Sequence, residues 1–117
     1  MTKLLSRSEI LKADDLPTKD VEVPEWGGTV RVRSMTAAAR DALEEAYRQA
    51  KRDGEPVSLR ALYAQACIVD ENGNPVFVEA DIEALGKKSA DALDRVYEAI
   101  VSLNKLAPEH VEEAAKN

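Results

Sequence analysis

The sequence predicts a mainly α-helical domain of about five helices with one small β-hairpin packed on it, an α+β fold. Apolar residues recur at helical spacing through most of the 117-residue chain. Strand-like alternation is clear only over residues 21–33, where valines flank a Gly-Gly step. The length fits one domain. We divide this domain into an N-terminal helix and hairpin (1–35), a helical core (36–104) and an acidic C-terminal helix (105–117).

The chain is predicted to begin with a short helix that runs to about residue 13. Ser6 and Glu9 have the spacing of a capping box, and Leu4 or Leu5 is placed to pack on Ile10. The Asp-Asp-Leu-Pro segment that follows ends this helix, because the residue before a proline avoids helical angles.

The hairpin is predicted with Gly27 and Gly28 as its two turn residues, because glycine readily adopts the positive φ angles that a tight turn requires. This register places the valines on one face and an opposite-charge pair on the other. Since two strands alone are marginally stable at best, we expect the hairpin to lie on the helices or on another protein. The expected cross-strand pairs are Val23 with Val32, Glu22 with Arg33 and Trp26 with Thr29.

The tip of the hairpin is the predicted protein-binding site. Pro24 has no backbone N–H to donate, which predicts an edge strand that is open to pairing. Trp26 either folds back over the valine face or is presented to a partner, since aromatic residues are frequent interface anchors. The residues assigned to this site are Pro24, Trp26, Gly27, Gly28, Arg31 and Arg33.

The helical core is predicted to start with a helix over residues 37–52, for which Thr36 is the N-cap. A second helix opens at Ser58, and its apolar run continues through Ile68 and Val69. A short connection should make these two helices antiparallel neighbours.

Turn residues dominate positions 70–75, and residues 76–78 are a candidate for a brief strand. Residues 79–86 read as a two-turn helix closed by a glycine cap at Gly86. Ser89 then caps the most regular helix, which we expect to be the spine of the core. Its apolar stripe consists of Leu93, Val96, Tyr97, Ile100 and Leu103.

The formal net charge of −6 comes entirely from the second part of the chain. Residues 70–117 hold eleven acidic and five basic residues, whereas residues 1–69 hold eleven of each. An acidic surface disfavours nucleic acid and anionic membranes as partners. The charge serves either solubility alone or the selection of a basic partner. Without a signal-peptide pattern or a long apolar segment, a soluble cytoplasmic protein is expected.

No catalytic, cofactor or metal site is predicted, and we do not expect an enzyme. His110 is the only histidine and lies in the predicted terminal helix. Cys67 lies on an apolar helix face, which favours a buried, inert thiol. A calcium loop that started at Asp70 would have Gly73 at its fourth position instead of the sixth. The two glycines after Trp26 lack the Lys-Ser/Thr of a nucleotide-binding loop.

Taken together, these segments resemble the tail assembly chaperones of long-tailed bacteriophages. The order and spacing of the segments carry the resemblance more than any one motif does. Relatives often have Glu where this chain has Ala39, which would complete a capping box with Thr36. The matching segments are Met1 to Arg7, the Val-Glu-Val-Pro-Glu-Trp-Gly-Gly-Thr-Val-Arg-Val-Arg block, Thr36 to Arg40, residues 69–73 with Phe77, 81–86 and 89–104.

The resemblance implies a non-enzymatic protein that binds the tape measure protein in the host cell cytoplasm, keeps it soluble and recruits tail tube subunits. It also implies that the protein leaves the finished tail and is absent from the mature virion. Self-association and a longer product of ribosomal frameshifting are further implications. The alternative function is that of an acidic, phage-encoded regulator that sequesters a basic host or DNA-binding protein. It is suggested by the negative charge of residues 70–117.

Overall fold

The chain forms five helices and a three-stranded antiparallel sheet within residues 2–105, the part that this computed structural model describes. The predicted α+β class is confirmed, and the predicted C-terminal helix lies outside the described residues. The elements are α1 (Arg7–Lys12), β1 (Thr18–Val23), β2 (Gly28–Arg33), α2 (Ala37–Arg52), α3 (Leu59–Cys67), β3 (Ile68–Val69), α4 (Ile82–Leu85) and α5 (Ala90–Leu103).

Four helices begin at hydroxyl N-caps that the sequence predicted. The side chains of Ser6, Thr36, Ser58 and Ser89 each accept a hydrogen bond from the backbone N–H three residues later. Each cap satisfies an amide that has no partner inside its own helix. At Ser6 the capping box is complete, because the Ser6 N–H also donates to the Glu9 carboxylate at 3.1 Å.

The predicted hairpin register is wrong, because the connection between β1 and β2 is longer than two residues. Residues Pro24–Trp26 form a 3₁₀ turn, and the N–H of Gly27 donates to the Pro24 carbonyl at 3.0 Å. Gly27 alone takes a left-handed conformation (φ 72°), while Gly28 is the first residue of β2. The observed pairs are Val23 with Gly28, Val21 with Val30, Lys19 with Val32, Asp20 with Arg31, Glu22 with Thr29 and Thr18 with Arg33.

The face pattern survives the shift, since opposite residues in an antiparallel pair share a face. Val23 and Val32 are completely buried, and an opposite-charge pair lies on the other face, between Asp20 and Arg31 in place of the predicted Glu22 and Arg33.

Strand β3 was not predicted, because Ile68 and Val69 continue the apolar run of the preceding helix in the sequence. The helix ends at Cys67 and Ile68 is extended, so Val69 and Ile68 pair with Arg31 and Val32 of β2. A continuous apolar run does not distinguish a buried strand from a buried helix end. The sheet order is β1-β2-β3.

Residues 76–78 do not form the brief strand that was predicted. Pro75 forms only an isolated bridge with Val69, and the Val76 N–H donates to the Ile68 carbonyl at 3.2 Å. Gly86 is the C-cap of α4, as predicted, and it has right-handed angles (φ −63°).

Helix α5 is the spine of the core, as predicted. It packs against β1, β2 and α3 and contributes five buried residues: Ala92, Leu93, Val96, Ala99 and Ile100. The side chain of Asn104, just after α5, accepts hydrogen bonds from the Met35 N–H at 2.8 Å and the Ser34 hydroxyl at 3.2 Å. These bonds fasten the end of β2 to the end of α5, so the orientation of the hairpin is fixed relative to the core.

Candidate protein-binding surface

Trp26 ends the 3₁₀ turn at the hairpin tip and is half-buried. Its side chain packs against the core cluster. The rest of the side chain lines two neighbouring cavities, of about 440 and about 290 Å³, and Phe77 lines both cavities with it. Trp26 therefore covers part of the core and still presents apolar surface outside it, which combines the two alternatives that the sequence left open.

We call the two cavities together the Trp26 groove. The larger cavity is lined by residues of β1, β2 and β3 and by the segment that follows β3. The smaller lies between Trp26, Phe77 and α4, where Ala84 and Leu85 add apolar surface. The walls of both cavities are mostly apolar, and charged side chains stand at their margins. Such a site suits apolar side chains of another protein better than it suits a small polar ligand.

The margin of the larger cavity carries excess negative charge. Asp20 and Arg31 form a bidentate pair with nitrogen–oxygen distances of 2.7 and 3.1 Å, and the hydrogen bond from Arg31 lowers the pKa of Asp20. The side chain of Asp70 accepts the backbone N–H groups of Asn72 and Asn74, both at 2.9 Å. Asp70 and Glu71 form no salt bridge with any residue within 2–105, although the charge of Glu71, after the contacts of Asp20, also helps to raise the pKa of Arg31. Three carboxylates and one guanidinium therefore line this margin, which leaves acidic charge in excess.

The turn that carries Trp26 is fixed by an ion pair that was not predicted from the sequence. The Nε of Arg95 in α5 donates to both carboxylate oxygens of Glu25, at 3.0 and 3.1 Å. The pKa of Glu25 is lowered mainly by a hydrogen bond between its carboxylate and the backbone of Glu25 itself, and to a smaller extent by the hydrogen bond from Arg95. No local pattern could have revealed this contact, because its partners are seventy residues apart.

The six predicted site residues do not form one continuous surface. Pro24, Gly27 and Gly28 are exposed in or beside the turn, and Trp26 and Arg31 line the larger cavity. Arg33 lies elsewhere and has a structural contact, because its Nη1 donates to the Gly73 carbonyl at 3.0 Å. Phe77, which shares both cavities with Trp26, was not assigned to the site by sequence reasoning.

Strand β1 is an edge strand, as expected, and no other strand within residues 2–105 pairs with its outer edge. Pro24 does not lie within β1 but begins the turn that follows it. The Ser34 N–H donates to the Pro17 carbonyl at 2.9 Å. This bond identifies which residues of β1 direct their backbone N–H and C=O groups toward β2. Alternate residues therefore pair with β2, and the backbone groups of Thr18, Asp20 and Glu22 face the free edge.

Among residues 2–105, the largest exposed apolar side chains outside the groove lie in residues 2–12, which we call the N-terminal arm. Leu4, Leu5, Ile10 and Leu11 are 89%, 58%, 55% and 67% exposed, and α1 has no buried residue. The sequence predicted this helix and its cap. It did not show that the helix stays off the core, because periodicity reports which face is apolar and not what covers that face.

Among the described residues we find neither an exposed thiol nor a cluster of side chains that could hold a metal ion. Cys67 is buried, and its burial raises the pKa of the thiol to about 12, so it stays protonated at neutral pH. Within residues 2–105 no group of side chains is placed to hold a metal ion. No helix in that range is both long and apolar enough to cross a membrane. His110 lies outside the described residues.

Comparison with known proteins gives a family and a fold. The family model for the phage tail assembly chaperone matches residues 10–117. No curated protein sequence matches the chain. Among solved structures, the tail assembly chaperone of bacteriophage HK97 superposes with a TM-score of 0.56 at 18% sequence identity, over 86% of this chain and 92% of that one.

The structural similarity shows a shared fold, and the family match extends from α1 to the last residue. The resemblance drawn from the order of the sequence segments is thereby confirmed. The chain belongs to the phage tail assembly chaperone family.

Proposed function

We propose that this protein is a non-enzymatic chaperone that binds the tape measure protein, keeps it soluble and recruits tail tube subunits to it. Family membership supports a role in tail assembly. The observation that carries the finer proposal is the Trp26 groove, an open apolar surface with an excess of carboxylates at its margin. These features suit a protein segment with apolar side chains and basic flanks.

The groove would hold apolar side chains of the tape measure protein that otherwise drive its aggregation. Burying one large aliphatic or aromatic side chain contributes about 1.5–3 kcal/mol. Two cavities take only a few such side chains, and association itself costs free energy, so each copy should bind weakly and release readily. Several copies along one tape measure chain would then gain affinity through multivalency.

The hairpin tip and the free edge of β1 would serve a second contact, with a tube subunit or a neighbouring copy. An edge strand accepts an added strand through its unpaired N–H and C=O groups. Pro24 and Gly27 are exposed at the tip, and Glu25 is held by Arg95, so the turn is a pre-formed surface. Pre-formed contacts lower the ordering cost of binding.

This function places the protein in the host cell cytoplasm during assembly, and the finished tail would not contain it. A longer frameshifted product that shares this domain is part of the same proposal. The alternative function, sequestration of a basic host protein, rests on the acidic charge alone. It predicts capture of a basic DNA-binding protein from host lysate and binding that collapses with salt.

Co-expression with the tape measure and tube proteins of the same genome tests the proposal. The tape measure protein should gain solubility and co-purify with the wild-type chain. Trp26→Ala and Val76→Ser should reduce the yield of complex, because both residues line the larger cavity. Val78→Ser is the matched control, since Val78 is similarly exposed but lines neither cavity.

Two outcomes would contradict the proposal. If neither tail protein co-purifies or gains solubility, the chaperone function is wrong. If Trp26→Ala changes neither binding nor folding, the groove and the hairpin tip are not the binding surface.

A further inference from the structure

The N-terminal arm combines exposed apolar side chains with basic charge. Its four large aliphatic residues are all more than half exposed. Two of them, Ile10 and Leu11, lie in the capped helix α1, which fixes their positions relative to each other. Three basic side chains, Lys3, Arg7 and Lys12, accompany one acidic side chain, Glu9. An exposed apolar group of this kind on a soluble domain is typical of an interaction site.

The helix of the arm is too short to be stable alone. Six residues fall well below the ~12–15 residues at which isolated helices become marginal in water. Inside the chain it is supported by its capping box and by the 2.7 Å pair between Lys3 and Glu9, both exposed. A helix with so little local support gains most from burial of its apolar side chains against a partner.

The Trp26 groove is the complementary surface on the same protein. Its walls are apolar, and Asp70 and Glu71 give its margin an acidic excess, opposite in sign to the arm. No residue of the arm lines either cavity, so the arm of the same copy leaves the groove open. We infer that the arm of one copy docks in the Trp26 groove of a second copy, with Leu5, Ile10 and Leu11 as the apolar anchors.

Edge-to-edge pairing of two β1 strands is a poorer route to self-association. The free edge presents the backbone of Thr18, Asp20 and Glu22, and antiparallel self-pairing centred on Asp20 or Val21 sets Asp20 opposite itself or opposite Glu22. Like charges that lie directly opposite destabilise a strand pair. The arm and the groove bring unlike charges together instead.

Arm docking does not depend on the proposed function, because it requires only copies of this chain. It does use the surface assigned above to the tape measure protein, so a tail partner would displace the arm. Failure of the tape measure experiment would leave arm docking intact, and the reverse is also true.

Sedimentation velocity of the purified protein over a wide concentration range tests the inference. The wild type should associate with a dissociation constant on the order of 10 μM, a value between those of strong and negligible complexes. The arm variant Leu5→Ser/Leu11→Ser and the groove variant Val76→Ser should each raise that constant by about tenfold or more, the equivalent of one lost apolar anchor. Val78→Ser should match the wild type, and circular dichroism checks that all variants stay folded.

Charge exchange gives the sharper test. Arg7→Glu in the arm and Glu71→Lys at the groove should each weaken association. An equimolar mixture of the two variants should associate again, because the unchanged arm of one meets the unchanged groove of the other, and the double variant Arg7→Glu/Glu71→Lys should associate through the exchanged pair. A wild type that stays monomeric, an arm variant that associates normally, or a mixture that fails to associate would each overturn the inference. Binding of the wild-type arm to anionic phospholipid vesicles without self-association would overturn it too, and would assign the arm to a lipid surface.

Discussion

Helices α1 and α5 begin at the same kind of N-cap, but α1 is exposed and α5 buries one face in the core. Both begin at a serine N-cap whose hydroxyl accepts the N–H three residues later. In α5, five apolar residues are at most 5% exposed, whereas in α1 Ile10 and Leu11 are more than half exposed. The N-cap and the periodicity are enough to form a helix. How much the helix contributes to the free energy of unfolding depends on what it packs against. Within residues 2–105, α5 packs on the core and α1 buries no residue.

The largest difference should appear when one apolar side chain is truncated in each helix. Ile100→Ala removes a completely buried side chain at the centre of the core, and we expect it to lower the free energy of unfolding by about 2–5 kcal/mol. Leu11→Ala in α1 removes an exposed side chain and should change it by less than about 0.5 kcal/mol. Urea denaturation measures both values at low protein concentration, where arms of other copies do not contribute.

Equal losses in the two variants would contradict the comparison. They would mean that α1 unfolds together with the core and packs on it in solution. The m-value, which reports the surface exposed on unfolding, should be the same for the two variants if both remain two-state.

The core should also respond to alkaline pH, whereas the arm should not. Burial raises the pKa of Cys67 and of Tyr63 to about 12 in the native state. In the unfolded chain these groups ionise near their ordinary values of roughly 8.5 and 10, so from there to about pH 12 the unfolded state binds fewer protons. The stability that their neutral forms contribute is complete below the unfolded pKa and is lost as pH rises. The expected slope is about 1.4 kcal/mol per pH unit for each group.

Replacing the thiol isolates its part of that slope. Cys67→Ala should flatten the loss of stability with pH between roughly 9 and 10, before Tyr63 contributes. Denaturation series at fixed pH values measure the effect, with Leu11→Ala as a control that should follow the wild type. Identical slopes in Cys67→Ala and wild type would show that the thiol ionises in the native protein as easily as in the unfolded chain.

The same substitution at two caps separates the helices more finely. Ser89→Ala should lower the free energy of unfolding by about 1 kcal/mol, since the cap serves a helix whose packing depends on its first turn. Ser6→Ala breaks the capping box of α1 and should leave global unfolding almost unchanged. Amide hydrogen exchange should instead show faster exchange confined to residues 7–12.

Sequence patterns predicted the caps and the helices well because both are local. Ser6, Thr36, Ser58 and Ser89 were all identified, and the apolar stripe of α5 faces the core as expected. The register of the hairpin was not predictable from its glycines, because a proline-initiated 3₁₀ turn competes with a two-residue turn at the same place.

The candidate site was only partly predictable, because some of its contacts join residues that are far apart in the sequence. Trp26 was identified by its chemistry at a hairpin tip, but its neighbour Phe77 comes from a segment fifty residues later that β3 brings to the sheet. Strand β3 itself was hidden in an apolar run that continues from α3. Arg33, chosen as a binding residue, is engaged by the Gly73 carbonyl, a contact that only the folded loop creates.

The smallest expected effect lies at Tyr97, a half-buried residue of α5 that packs against the core. Its ring packs edge-on against Tyr63 with centroids 5.5 Å apart, yet its hydroxyl oxygen is buried without a hydrogen-bond partner among the described residues. Tyr97→Phe keeps the ring contact and removes the unpaired polar group, so it should leave stability within about 0.5 kcal/mol of the wild type or raise it slightly. A loss above about 1 kcal/mol in urea denaturation would mean that the hydroxyl has a partner in solution. Apolar burial alone would then no longer account for the contrast between α5 and α1, because α5 would also depend on a polar contact.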